Sequence, residues 1–131
     1  MIVEVVGAVI RDAAGRLLTV RKAGTVHFML PGGKREPGED DLTALARELA
    51  EELGARLVTA APLGVFEAAA ANEPGARVRS HPYAVVVEGE IAAAAEIAEI
   101  AWVEVAAPHV RLAPLLTTQI LPELRARWPS A

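Results

Sequence analysis

The chain has 131 residues, the length of one domain, with a formal net charge of −4 and no cysteine. The missing cysteines exclude a disulfide scaffold, a thiolate metal site, an iron–sulfur cluster and a cysteine nucleophile. The mild acidity leaves no footprint for nucleic acid, and no apolar run reaches the roughly 18 residues of a membrane span. Glu4 interrupts the apolar N-terminus and no basic stretch precedes it, so a cytoplasmic protein without a signal peptide is expected. Alanine makes up about a fifth of the chain, and the core must therefore rest on Val, Leu and Ile.

Ile2 to Arg11 is rich in β-branched residues and predicts a strand; Asp12-Ala13-Ala14-Gly15 predicts a turn, and Arg16 to Lys22 a second strand closing a hairpin. The apolar run Phe28-Met29-Leu30 stops at Pro31-Gly32-Gly33, and Pro37-Gly38 marks another loop. From Asp40 to Leu53 the pattern is helical. Acid stands at its start, Gly54 just past its end, and Leu42, Leu45, Ala46, Leu49 and Leu53 form the expected buried stripe. Strands are expected within Arg56–Ala71, at Val78 with Pro82–Glu90, and over Glu99–Val105, with a turn at Asn72–Gly75. Tyr83 and Trp102 are expected in the core. The alanine runs Ala68–Ala71 and Ala92–Ala95 are too short, and too closely flanked by strand patterns, to be helices. Leu116, Ile120, Leu124 and Trp128 recur every fourth residue and predict a C-terminal helix that Pro122 kinks or breaks. The order β-β-β-α-β-β-β-α describes a single mixed α/β domain over residues 1–131, with helices packed on a sheet.

On a helix each residue advances about 100°, which places Glu52 about 40° to one side of Glu48 and Glu51 about 60° to the other. Three carboxylates thus rise from the edge of the buried stripe. A solvated acidic face is the ordinary fate of such a run. Here, however, like charges at i, i+3 and i+4 repel, and they stand near the C-terminal end, where the helix dipole disfavours acid. Arg47 is the one cation inside the helix. A hard divalent cation with oxygen ligands would relieve the cluster. The glycine loop beside it is suited to cradle a polyphosphate.

The stretch from Gly33 to Ala55 resembles the Nudix hydrolase family, whose signature is G-x5-E-x7-R-E-U-x-E-E-x-G-U, with U a bulky aliphatic residue. Gly33, Glu39, Arg47, Glu48, Leu49, Glu51, Glu52 and Gly54 all match; Ala55 is smaller than the family's final aliphatic. The resemblance implies an α/β/α sandwich, with the box helix on one side of a mixed sheet and the C-terminal helix on the other. It implies a pyrophosphohydrolase that cleaves a nucleoside diphosphate linked to another group, with water attacking phosphorus. Glu48, Glu51, Glu52 and the Gly32 carbonyl would hold Mg²⁺, or Mn²⁺ in its place. Glu39 and Arg47 would hold helix and loop in register. The proton acceptor is a box glutamate or one of Glu67, Glu73, Glu96 and Glu99. Gly33, Lys34, Arg21 and Phe28 are candidates for substrate contact, Phe28 by stacking on a base. Family members are often homodimers, and the composition allows one.

Subclass patterns narrow the substrate. A proline expected some way past the box in the ADP-ribose group is replaced by Ala69-Ala70-Ala71, with Pro74 arriving late, and the tyrosine of the diadenosine polyphosphate group has no counterpart. Leu17-Leu18-Thr19-Val20-Arg21 matches the opening of the coenzyme A motif, but the remainder does not follow. By elimination the chain is most similar to MutT-like members, which act on nucleoside triphosphates, including those of oxidised purines. An ADP-ribose or nucleotide-sugar pyrophosphatase, or a non-catalytic nucleotide-binding domain, is the alternative. Arg77, Arg79 and His81 form a basic cluster, either reaching substrate or solvated on a hairpin. His27 and His109 have no ligand-like spacing.

Overall fold

The structure is a computed structural model describing residues 1–128. The proposed domain limit at residue 131 falls outside the described residues. Seven strands form: β1 (Ile2–Val9), β2 (Leu17–Lys22), β3 (Gly32–Gly33), β4 (Arg56–Pro62), β5 (Phe66–Ala69), β6 (Arg77–Glu88) and β7 (Ile97–Val103). Helix α1 spans Asp41–Leu53; a π-helical turn, Leu116–Ile120, runs into α2 (Leu121–Arg127).

The main sheet has the order β3-β1-β6-β4, with β5 also on β6. β1 runs parallel to β6, with Val5 opposite Ser80, while β3, β4 and β5 are antiparallel to their neighbours. β2 and β7 form a separate antiparallel pair. The expected β1–β2 hairpin is therefore corrected. An isolated bridge, Arg11 to Leu17, joins the two segments, and the strands diverge into different sheets. The turn residues do reverse the chain, but long-range partners claim both strands. The segment expected as one strand over Arg56–Ala71 is two strands broken around Gly64, and they pair successive halves of β6. β6 itself is continuous through Pro82, and β7 begins and ends earlier than expected. Both alanine runs are free of helix. Pro122 occupies the first turn of α2, where a missing N–H costs nothing, and the register break falls on the π turn before it.

Two apolar layers flank the sheet. On one face Val6, Ala8 and Ile10 meet Leu45, Leu49 and Leu53 of α1, with Tyr83 and Trp102 partly buried against them. On the other, Val9 meets Leu116, Ile120, Leu121 and Leu124. This is the expected α/β/α sandwich. The stripe of α1 is rotated from its predicted position. Leu42 is 44% exposed and Ala46 half-buried, while Ala44 and Glu52 are buried. No helix among the described residues is long and apolar enough to cross a membrane.

Candidate active site

Local chemistry sets the bounds of α1. The Asp40 side chain accepts from the Thr43 N–H at 2.8 Å and caps the start; Gly54, at φ 66°, ends the helix and returns its N–H to the Ala50 carbonyl. Its middle packs against the two-residue strand β3. There, Gly32 has φ 144°, and a Cβ would collide with the Val6 carbonyl oxygen. A Cβ on Gly33 would lie 2.7 Å from Glu48 Oε1. Two glycines thus let the main chain pass between β1 and the carboxylates of α1.

Glu52 is 1% exposed. Its Oε1 accepts the Gly32 N–H at 2.8 Å, and Oε2 is buried with no partner. Burial, reinforced by the charges of Glu48 and Glu96, pushes its carboxyl up to about 7. Burial also raises Glu48, against the lowering effect of the Arg47 guanidinium. Arg47 donates to both oxygens of Glu39, at 2.7 and 2.9 Å, to Glu48 at 3.0 Å and to the Lys34 carbonyl at 3.1 Å. Glu39 also accepts the Glu36 N–H and is held down at about 2, chiefly by Arg47. The expected link between helix and loop is thus present as a network. Glu51 differs: its side chain is 53% exposed and turns to Arg47 at 3.5 Å. Among the described residues no three carboxylate or imidazole groups converge into a ready-made metal cage. Glu48 and the orphaned Oε2 of Glu52 supply the beginning of a hard-cation site, because two partly desolvated carboxylates share it.

A cavity of about 600 Å³ opens beside these groups. Gly32, Gly33, Lys34, Arg47 and Glu48 stand at its charged side, and its floor is the face of β1 and β6 opposite α1, with Val3, Val5 and Val78. Arg21 and Phe28, the two other candidates for substrate contact, do not line it. Arg21 is paired with Glu99 at 2.6 Å and donates to the Thr25 carbonyl. Phe28 is 7% exposed, bridges to Leu112 and belongs to the second core layer. Lys22, which carries no expectation from the sequence, does line the cavity. Its charge acts on Glu48 and Glu52 and it lies 3.4 Å from Glu96. The alternation of β2 could have found it, since Lys22 points away from the face of Arg21. Of the carboxylates outside the helix, Glu67 is bound to Arg77 and Arg79, Glu96 to Lys22 and Glu99 to Arg21; Glu73 lines the cavity. The basic cluster on β6 is consumed by acids: Arg79 meets Glu4 and Glu67, and His81 lies 3.6 Å from Glu4.

Residues 1–124 match the family model of the NUDIX domain. The chain belongs to the Nudix hydrolase family. It is 42% identical over 65 residues to a MutT-like protein of Streptomyces ambofaciens, a match that takes in 50% of this chain and 42% of that protein's length. The crystal structure of a MutT NUDIX hydrolase from Burkholderia pseudomallei is similar over 94% of this chain and 97% of its own, at 26% identity and a TM-score of 0.78. A MutT protein from Methanosarcina mazei shares the fold at a TM-score of 0.80 and 21% identity, over 98% and 96% of the two chains. Members of the family generally use divalent metal ions and act on small nucleotide substrates.

Proposed function

We propose that this chain is a divalent-metal-dependent pyrophosphohydrolase that converts a nucleoside triphosphate to its monophosphate and pyrophosphate in the cytoplasm. The observation that carries the reading is the buried carboxylate of Glu52, with one oxygen unpartnered, one helical turn from Glu48, which lines the charged side of the cavity. A bound Mg²⁺ or Mn²⁺ would neutralise phosphate charge and acidify a water. Glu48, Glu51 and Glu52 would hold it, with the Gly32 carbonyl as a further oxygen. Lys22 and Lys34 place the phosphates. The water oxygen bonds to one phosphorus of the anhydride, and the bridging P–O bond breaks with its electrons leaving on the other phosphate product. The water's proton passes to a carboxylate. Glu73, the one of the four carboxylates outside the helix that lines the cavity, is our candidate for it beside the box glutamates.

A panel of nucleotides incubated with Mg²⁺ tests this. Release of pyrophosphate from a nucleoside triphosphate, abolished by a chelator while circular dichroism stays native, is the expected result. A clear preference for ADP-ribose, a nucleotide sugar or a dinucleoside polyphosphate overturns the substrate assignment. Turnover that survives chelation overturns the metal assignment.

A further inference from the structure

The segment between β3 and α1 brings Lys34 to the charged side of the cavity. Lys34, Glu36, Pro37, Gly38 and Asp40 are all exposed, so packing does not decide the segment's course, and its shape rests on a few polar anchors. Arg47 supplies one of them, at the Lys34 carbonyl. Another comes from within the segment. The Arg35 guanidinium donates from Nη2 to Glu4 Oε2 of β1 at 3.0 Å, and from Nη1 to Oδ1 of Asp41, the first residue of α1, at 2.5 Å. One planar fork thus ties the segment to the sheet and to the start of the helix. The family signature leaves position 35 open, so nothing in the motif marks this residue.

Neither carboxylate depends on Arg35 alone. Glu4 also accepts from Arg79 at 3.3 Å, with His81 3.6 Å away, and Asp41 accepts from Tyr83 at 2.6 Å. Removing the guanidinium therefore strands no carboxylate, and the fold loses little. What goes is the fixed course of the main chain that carries Lys34. Arg35 lines the cavity too, but its charge is already shared by two carboxylates, which makes it a poor phosphate ligand. A lysine is a point charge on a flexible stem, and its grip on phosphate depends on where its backbone is held.

We infer that Arg35 is a positioning residue, which by bridging Glu4 and Asp41 holds Lys34 where the substrate's phosphates are gripped. The inference deepens the pyrophosphohydrolase reading and rests on it for the role of Lys34. It is read by binding and needs no turnover.

Methylenebisphosphonate, an uncleavable mimic of pyrophosphate, is the probe, and its binding in the presence of Mg²⁺ is measured by calorimetry. Arg35→Met and Lys34→Ala should each weaken it roughly 10-fold, the worth of one charge-assisted contact. The double variant should bind no more weakly than Lys34→Ala alone, because both changes remove the same contact. Arg35→Lys, which reaches one carboxylate at a time, goes through the same cycle and should show a smaller loss, again absent in the Lys34→Ala background. Arg77→Met removes a cation from the ion pair with Glu67 at the far end of the same chain of charges, and should bind like the unaltered protein. A merely structural role for Arg35 would lower the melting temperature and give losses that multiply in the double variant; multiplied losses overturn the inference. So do an equal loss in Arg77→Met, unchanged binding in Arg35→Met or in Lys34→Ala, and the absence of saturable binding to the unaltered protein. If the losses fail to multiply as expected but no nucleotide is cleaved, the role of Arg35 stands and the hydrolase reading fails. If triphosphates are cleaved but the losses multiply, the hydrolase reading stands and this inference fails.

Discussion

Replacing Glu52 by Gln separates the two things this residue does. In the metal-free protein an ionised Glu52 is a buried charge with one oxygen bonded to the Gly32 N–H and the other bonded to nothing. Moving the carboxyl from 4.5 to about 7 means that ionisation costs the metal-free fold about 3 kcal/mol above neutrality. Below pH 4.5 the group is protonated whether folded or unfolded, and there is no cost. As pH rises from there to 7 the unfolded chain ionises while the folded one resists, so stability falls across that window and then levels. Glutamine keeps the acceptor for Gly32 and removes the charge, but leaves an unpartnered NH₂ that costs about 1–2 kcal/mol. The variant should thus be about 1–2 kcal/mol more stable than the unaltered protein at pH 8 in chelator, a rise in Tm of roughly 3–7 °C, and no more stable at pH 4. With Mg²⁺ present its kcat should fall roughly 10²–10⁴-fold. Thermal melts at the two pH values and initial rates on the preferred nucleotide are the assays. A variant that melts lower than the unaltered protein at pH 8 refutes the unpaired buried charge; near-normal kcat refutes Glu52 as a metal ligand.

Arg47→Ala should lower both kcat and Tm, because Glu39, Glu48 and the Lys34 carbonyl all lose a donor. Glu39, held near 2 by that guanidinium, contributes stability that is present above its ordinary 4.5 and lost as pH falls toward 2; acid titration of the Arg47→Ala protein should show this loss abolished. Gly33→Ala drives a methyl into Glu48 and should cost roughly 10²-fold in kcat with KM little changed, read by steady-state kinetics. Lys22→Ala should raise KM about tenfold and leave Tm nearly unaltered, since its ion pair with Glu96 is exposed.

The readable parts of the sequence were those decided locally. Asp40, Gly54 and the leucine spacing are all within one helix, and they fix α1 to within a residue. The link between Arg47 and Glu39 was likewise legible in the family signature, which holds both residues. What escaped depends on distant chain. β1 and β2 look like hairpin partners until β6 and β7 compete for them. Phe28 looks like a loop aromatic near the glycines, yet Leu112 draws it into a core layer. The place of Glu52 is set by how β3 lies across α1, and no periodicity count turns a glutamate inward in preference to Leu42.

β6 is read from both sides. Its odd residues, Arg79, His81 and Tyr83, reach Glu4 and Asp41 on the helix side. There the Asp41 carboxylate accepts a 2.6 Å hydrogen bond from Tyr83 that, with burial, pushes the phenol up to about 12. Its even residues, Val78 and Ser80, floor the cavity. Point substitutions at 78 and 80 can therefore reshape the cavity floor without touching the ionic fastening of α1, and the two faces are free to diverge at different rates. A one-residue insertion or deletion has the opposite effect, because it would turn Arg79 into the apolar floor and bury Ser80 among the ions. Natural relatives that differ in substrate should thus vary at these even positions by replacement, and keep the length of β6 unchanged.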